Sequence, residues 1–231
     1  MADVTADESK KESIAKMGEP LGSLYWGLWQ HLALTYAHWN EYVVLFGTKP
    51  TRIDLLNRAA PQFFHMVQEE LFEVFLLHLS RITDPAYSLN DKNKPNLSIR
   101  ALAEHITDAK LKADVEKMVG DALKATEFAR AWRNRTVAHK DLKLALDQPT
   151  TALPTASRKQ VKEALQSIAS VLNLVAGHYL DSETAFDAGI NFHGAEDLLY
   201  VLHAGVKADD ERTERLKAGK ALETDYDPPD L

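Results

Sequence analysis

The sequence of 231 residues contains no cysteine. This absence excludes disulfides, thiolate zinc sites and a cysteine nucleophile. The chain also has no apolar run close to the roughly 20 residues that a membrane-spanning helix requires. Residues 1–16 are polar and charged, without the apolar core of a secretory signal peptide. We therefore expect a cytoplasmic protein with no membrane partner.

Several common catalytic patterns are also missing. The ten glycines form neither a phosphate-binding loop nor a Gly-x-Ser-x-Gly turn. None of the nine histidines follows a glutamate at i−3, so the Glu-x-x-His pairs of di-iron bundles are absent. The sequence therefore predicts no cofactor and no metal. One weaker metal candidate is the helical row His65, Glu69 and Glu73, for which a solvated face is the alternative.

The overall charge is acidic, with 34 acidic against 27 basic residues and a formal net charge of −7. Proteins that coat nucleic acid usually carry a basic footprint, so this balance argues against that class. It leaves room for a small basic site. The hydrophobic fraction of 45% is that of an ordinary globular protein with a sizeable core.

Apolar residues recur at helical spacing along most of the chain, and no segment alternates as a strand does. The pattern predicts helices over 21–46, 52–82, 98–107, 109–135, 157–180, 195–206 and 208–220. Pro61 should kink or split the second helix. Ser98 is a predicted N-cap, and Ser157 with Gln160 a predicted capping box.

These segments predict an all-α fold, an up-and-down bundle of about five helices with a C-terminal helical extension. We place the bundle at 20–182 and the extension at 183–220. A disordered polar tail is predicted for 1–19, and an acidic disordered tail for 221–231.

Basic residues concentrate in one stretch, 124–143, which holds six basic and only two acidic residues. We call this stretch the basic island. Cations near the C-terminal end of a helix complement its dipole, which is one reason for such a cluster. The other reason is a site for an anionic ligand.

Within the island, Arg133, Asn134 and His139 supply the groups needed to cleave RNA without a metal. Histidine titrates near neutrality, so His139 is a candidate acid or base toward a 2′-hydroxyl or a leaving 5′-oxygen. Arg133 would stabilise charge on the phosphorus oxygens, and Asn134 would position the histidine or the phosphate. Candidate RNA phosphate contacts are Arg130, Arg135 and Lys140.

The spacing sets a geometric condition. On a regular α-helix, residues six apart such as Arg133 and His139 differ by about 240° and do not share a face. Arg135 and His139, four apart, would be neighbours. The helix must therefore bend or end inside the motif, or the site must combine residues from two chains.

The pattern Arg133-Asn134-x4-His139 resembles the motif of the HEPN superfamily: arginine, a polar residue, three to five further residues, then histidine. Its continuation to Asp141 resembles the abortive-infection-like branch. Further resemblances are the runs 45–47, 55–57, 63–64 and Ser80-Arg81-Ile82-Thr83-Asp84-Pro85. Together they cover roughly residues 20–180.

The resemblance implies a helical bundle, a homodimer that brings two motifs to one cleft, and metal-independent endoribonuclease activity on an RNA substrate. It further implies a role in toxin–antitoxin systems or antiphage defence, with a neutralising antitoxin as a candidate partner. The alternatives are a non-catalytic HEPN-type interaction or nucleotide-binding protein, and a purely structural helical module.

Three tryptophans offer either a base-stacking platform or packing in the core or dimer interface: Trp26, Trp29 and Trp39.

Overall fold

The computed structural model describes residues 5–137, 142, 146, 151–189 and 193–226, and these are mostly helical. The α-helices are α1 (Ala6–Met17), α2 (Glu19–Phe46), α3 (Pro50–Ala59), α4 (Pro61–Ile82), α5 (Ala109–Ala125), α6 (Glu127–Trp132), α7 (Arg158–Leu180) and α8 (Ala195–Lys217). A 3₁₀ helix spans Ile99–His105, and a π-helical turn spans Arg133–Val137. Within the described ranges there is no strand beyond an isolated bridge between Tyr87 and Pro95. The predicted all-α class is confirmed.

Helix boundaries follow the predicted signals. Pro61 begins α4, and only Ala60 separates it from the end of α3, because proline lacks an N–H and restricts the residue before it. The Ser98 hydroxyl accepts from Arg100 N at the start of the 3₁₀ helix. Ser157 and Gln160 form the expected capping box of α7, with Gln160 N donating to the serine hydroxyl. These three predictions are confirmed.

Contacts divide the chain into two units. Unit 1 comprises Met1–His38 and Phe72–Gly189, and unit 2 comprises Trp39–Leu71 and Ile190–Leu231. Helices α2 and α4 contribute residues to both. In unit 1, α7 packs along α5, and the α7 face predicted to be apolar is fully buried: Leu165, Ile168, Val171, Leu172 and Val175.

Unit 2 has its own core, formed chiefly by α3 and α8 with the ends of α2 and α4. Its buried members are Leu45, Leu56, Phe64, Ala195 and Leu199. Helix α8 is one continuous helix, so the predicted division into 195–206 and 208–220 is wrong. It belongs to the core of unit 2, because Ala195 and Leu199 are buried there.

The N-terminal segment differs from the disordered tail predicted for 1–19. Residues from Ala6 onward form α1, opened by a capping box of Thr5 and Glu8. Ser13 and Met17 are buried, and α1 packs against α7. The segment is too short and polar to fold alone, so its order comes from this packing.

The C-terminal segment also departs from the predicted acidic disordered tail over part of its length. The Asp225 carboxylate is buried and accepts two bonds from the Arg215 guanidinium, at 3.1 and 2.5 Å. These bonds hold the pKa of Asp225 down at about 2. Residues 227–231 lie outside the described ones. No helix in the described part of the chain is long and apolar enough to cross a membrane.

Candidate functional site

The basic island begins where a predicted single helix changes its geometry. Sequence periodicity predicted one helix over 109–135, but Thr126 interrupts it with φ −100° and ψ 4°. Its hydroxyl donates to the Ala122 carbonyl at 2.8 Å, and its backbone N–H donates to the same carbonyl at 3.0 Å. Helix α6 then runs only to Trp132, and the chain enters the π-helical turn at Arg133.

The π-helical turn carries the first half of the motif. The Thr136 hydroxyl donates to the Trp132 carbonyl at 2.8 Å, and such bonds compete with the α-helical ladder. π turns are rare and frequent at functional sites. The expected separation of about 240° between Arg133 and His139 assumes a rotation of about 100° per residue, as in a regular α-helix. That rotation does not hold in the π-helical turn that begins at Arg133. The helix therefore changes its geometry within the first half of the motif.

Arg133 does not extend freely into solvent. Its Nη1 donates to Asp84 Oδ1 at 2.6 Å, and the two side chains are only 22% and 25% exposed. Its Nε donates to Asn134 Oδ1 at 3.2 Å, which orients the neighbouring amide. Asn134 itself is exposed. Arg133 and Asn134 are therefore coupled, and Asp84 fixes the pair to the end of α4.

Arg130 binds the residue preceding Asp84. Its Nη2 donates to the Thr83 carbonyl at 3.0 Å and to the Thr83 hydroxyl at 3.2 Å. Burial lowers the pKa of Arg130, and the positive charges of Arg133 and Arg100 lower it further, while Asp84 opposes them. The carboxylate of Glu127 opposes them as well, so the three arginines face two carboxylates and one positive charge remains in excess.

Arg135 has a different position. Its Nη1 donates to the Thr151 carbonyl at 2.6 Å, in the segment that leads to α7. The Trp132 indole donates to the Pro154 carbonyl at 2.9 Å in the same segment. Among the six predicted site residues, the structure groups Arg130, Arg133 and Asn134, and places Arg135 against Thr151. His139 and Lys140 lie outside the described residues.

Comparison with known proteins gives one result. The family model for AbiU2, a HEPN-type abortive-infection domain, matches residues 18–198. The chain belongs to the AbiU2 family. The match spans more than three quarters of the 231 residues, and the resemblance to the HEPN superfamily is confirmed. No curated protein and no solved structure matches the chain significantly.

The AbiU2 match includes α2 to α7 and ends inside α8, so α1 lies outside it. We use the term arginine site for Arg130 and Arg133 with their acceptors Thr83 and Asp84. All four residues lie inside the matched range. In the sequence, the Thr83–Asp84 pair stands out only as part of the family resemblance. Its position just after a helix and before Pro85 is the signal that could have identified it as a fixed acceptor.

A cleft of about 450 Å³ lies beside α6 in this AbiU2-family chain. Its lining combines apolar and charged side chains: Lys124, Ala125, Glu127, Phe128, Ala131, Pro154, Gln160 and Glu163. The cleft is bounded by the end of α5, by α6 and by the start of α7. The first half of the basic island therefore forms one side of the cleft, but Arg130 and Arg133 do not line it.

Of the other sequence candidates, the tryptophans occupy packing positions and the metal candidate is exposed. Trp39 is buried and stacks on Tyr42 at 5.5 Å, while the half-buried Trp26 and Trp29 stack on each other at 5.3 Å. The Trp29 indole also donates to the Thr184 hydroxyl at 3.0 Å. His65 lies 3.8 Å from Glu69, with both side chains exposed. In the described part of the chain, no three potential ligands are grouped so as to hold a metal ion.

Three histidines form a cluster. His31 and His38 of α2 lie next to His78 of α4. The His31 Nε2 and His78 Nδ1 atoms lie 3.0 Å apart, and the His38 ring is 5.0 Å from His78. Burial lowers the pKa of His78 to about 4, and the charges of His31, His38 and Arg81 act in the same direction.

Proposed function

We propose that this AbiU2-family chain is a metal-independent endoribonuclease of HEPN type that acts as a toxin or antiphage-defence effector. The observation that carries the proposal is the pairing of two motif-region arginines, Arg130 and Arg133, with one short segment at the end of α4. Held guanidinium groups are suited to binding phosphate bidentately. Basic residues are concentrated here in an otherwise acidic chain, which favours a site for an anionic ligand over a role in complementing the helix dipole.

In the proposed reaction, the phosphate next to the scissile bond binds Arg133, which stabilises the charge that builds on its oxygens. His139 accepts the proton of the attacking 2′-hydroxyl or protonates the leaving 5′-oxygen. Asn134 orients the reacting groups, as its bond from Arg133 Nε suggests. Arg130, Arg135 and Lys140 contact neighbouring phosphates. The expected product carries a 2′,3′-cyclic phosphate, because the internal 2′-oxygen is the nucleophile.

A homodimer is part of the proposal. A chain with a net charge of −7 gains a continuous basic surface when two islands meet across a twofold axis. We further propose a cytoplasmic location and a neutralising antitoxin, because a cell that makes such an enzyme must restrain it. Light scattering should give twice the mass of 25.9 kDa at micromolar concentration. A fully active monomer would contradict the dimer.

The decisive experiment is cleavage of a generic single-stranded RNA by purified protein in excess EDTA. We expect the parent to cleave and His139→Ala to lose about 10²–10⁴-fold in rate. RNA binding by His139→Ala should stay close to that of the parent. The matched control is His203→Ala, which removes an exposed histidine from α8 and should change nothing. Equal cleavage by His139→Ala and the parent would refute the catalytic assignment.

A second candidate function is a non-catalytic HEPN-type interaction or nucleotide-binding protein. The specific observation in its favour is the ion pair between Arg133 and Asp84, which uses the motif arginine within the chain itself. This candidate predicts that RNA or a nucleotide binds without being cleaved, and that His139→Ala changes neither binding nor product formation. The same cleavage and binding assays therefore separate the two functions.

A further inference from the structure

Thr83 and Asp84 supply hydrogen-bond acceptors for Arg130 and Arg133, and the surrounding structure holds these acceptors in place. The Thr83 hydroxyl donates to the carbonyls of Leu79 and Ser80, each at 3.1 Å, which fixes its orientation at the end of α4. One hydroxyl donates one hydrogen and retains acceptor capacity, so the oxygen remains available to Arg130. Thr83 is completely buried. Arg130 is therefore held from a rigid point.

The backbone of Asp84 is fixed from the other side. The Ser98 hydroxyl donates to the Asp84 carbonyl, and Asn96 Nδ2 donates to the Pro85 carbonyl at 2.8 Å. Asn96 N also donates to the Ala86 carbonyl at 2.8 Å, which closes the loop that follows Asp84. A carboxylate on such a support holds its partner in one place, and small misplacements of a catalytic group are costly.

The charges around Asp84 are unequal. Arg130 is influenced by the charges of Arg133 and the exposed Arg100, and the carboxylates of Asp84 and Glu127 oppose them. Of these two carboxylates, Asp84 forms the ion pair with Arg133. Asp84 touches Arg133 through a single oxygen, Oδ1, at Nη1. It therefore orients the guanidinium without enclosing it. An incoming phosphate would meet the arginines and, close behind them, one negative charge that repels it.

We propose that Asp84 is a positioning residue: it holds the Arg133 guanidinium in the orientation that meets the scissile phosphate, while its own charge keeps RNA affinity low. The inference rests on the proposed endoribonuclease function and extends it to a residue outside the Arg-x5-His motif. It predicts opposite effects on binding and turnover. Loss of the Asp84 charge should tighten RNA binding and slow cleavage, whereas simple structural damage would weaken both.

The first test compares Asp84→Asn with the parent. We expect the single-turnover cleavage rate to fall by about 10-fold or more, since Arg133 loses its alignment. Affinity for a 2′-O-methyl RNA of the same sequence should rise by about 3- to 10-fold in fluorescence anisotropy at fixed salt, because one repulsive charge is gone. Asp84→Glu, which keeps the charge, should restore most of the cleavage rate.

The control is Asp91→Asn, in the same loop. Asp91 pairs with Lys94 at 3.8 Å and accepts from Asn93 N at 3.0 Å, so its replacement alters net charge equally without touching an arginine of the site. Rate and affinity should stay within about twofold of the parent. An equal rise in affinity for Asp91→Asn would mean that net charge alone is responsible, and would overturn the role of Asp84.

A double-mutant cycle separates positioning from structural support. If Asp84 acts through Arg133, then adding Asp84→Asn to Arg133→Ala should change the residual rate by less than about twofold. Independent, multiplicative effects would overturn the proposal, as would parental cleavage by Asp84→Asn. Weaker binding by Asp84→Asn together with a lower melting temperature would also overturn it.

The proposed function can fail separately. A parent protein that binds RNA but does not cleave it refutes the endoribonuclease and with it the positioning of a catalytic Arg133. The RNA-binding measurements still test whether the Asp84 charge lowers RNA affinity. Tighter binding by Asp84→Asn at an unchanged melting temperature supports this, and unchanged binding refutes it. If Asp84→Asn does not fold, Asp84→Glu decides, because loss of binding and cleavage in this charged variant would contradict the proposal.

Discussion

Gly22 of α2 lies directly against Ile14 of α1, so close that a Cβ on Gly22 would fall 2.6 Å from the Ile14 Cα. The same Cβ would lie 2.6 Å from the Ser13 carbonyl oxygen. Both are backbone atoms, which cannot rotate away. The contact requires glycine, and it allows an N-terminal segment that looks disordered in sequence to pack as a helix.

Gly22→Ala should therefore displace α1. We expect a loss of about 1–3 kcal/mol in the free energy of unfolding, as for other overpacked contacts, measured by urea denaturation. Increased protease cleavage within 6–17 should accompany it. The control is Gly205→Ala in α8, where a Cβ meets nothing within 4 Å. That change should stabilise the chain by about 0.5–1 kcal/mol, because alanine favours a helix. Equal behaviour of the two variants would contradict the packing of α1.

The histidine cluster should make stability depend on pH. His78 has a folded pKa of about 4, below the value of about 6.5 expected in the unfolded chain. The unfolded chain therefore binds protons first, and stability falls as the pH drops from about 6.5 towards 4. We expect a loss of about 1–2 kcal/mol, reduced from the full shift because the cluster is partly open to solvent.

Urea midpoints at pH 7 and pH 5 measure this loss. His78→Gln should flatten the dependence, because the amide retains a polar group near His31 but takes up no proton. His105→Gln, at an exposed position on the 3₁₀ helix, should leave the dependence as in the parent. A parent with identical midpoints at both pH values would show that the cluster does not resist protonation.

Arg130 and Arg135 should differ in what their removal costs. Arg130 donates to the buried Thr83, so Arg130→Ala leaves two acceptors without their charged donor. We expect a loss of about 1.5–3 kcal/mol in stability in addition to weaker RNA binding. The Arg135 contact with the Thr151 carbonyl is exposed, so Arg135→Ala should cost less stability.

Both changes should reduce the salt dependence of RNA binding by about one counterion each, if both arginines contact phosphate. Titrations at 50 and 200 mM salt measure the slopes, and thermal melts measure stability. A larger loss of stability in Arg135→Ala than in Arg130→Ala would reverse the assignment of their roles.

Gly194 should be required for the cap of α8. The Ala195 N–H donates to Glu41 Oε2 at 2.6 Å, and a Cβ at Gly194 would overlap the other carboxylate oxygen. Gly194→Ala would push the carboxylate away and leave the helix start uncapped, at a cost of about 0.5–2 kcal/mol. Gly177→Ala in α7, where the space is open, is the control in a melting experiment.

Local signals predicted most of the helices because they act within a few residues. Ser98, Ser157 and Pro61 set helix ends through their own backbone bonds, and the α7 stripe followed from periodicity alone. The order of α1 was missed because it depends on the approach of Gly22, which no local pattern encodes. Thr126 was missed for a different reason. Its helix break results from a side-chain bond to the helix itself, and periodicity continues across it.

The sequence predicted which arginines form the arginine site, but not which residues they contact. The residue types of the island identified Arg130 and Arg133 as anion-binding candidates. Their partners Thr83 and Asp84 lie about 50 positions earlier, and only the fold brings these residues together. Helical periodicity did not predict the geometry of Arg133–Val137, because the Thr136 bond to Trp132 favours a π turn that a fixed rotation of about 100° per residue does not represent.

The discontinuity of unit 2 has a consequence for synthesis. Leu45, Leu56 and Phe64 leave the ribosome well before Ala195 and Leu199, with residues 72–189 made in between. At about 5–20 residues per second, this apolar surface waits on the order of 10 s for its partner helix. Pairing so distant in sequence also slows folding, since a long loop must close first. The nascent chain therefore exposes an apolar surface that chaperones can bind before α8 is synthesised. A chain that ends before residue 195 would keep this surface exposed.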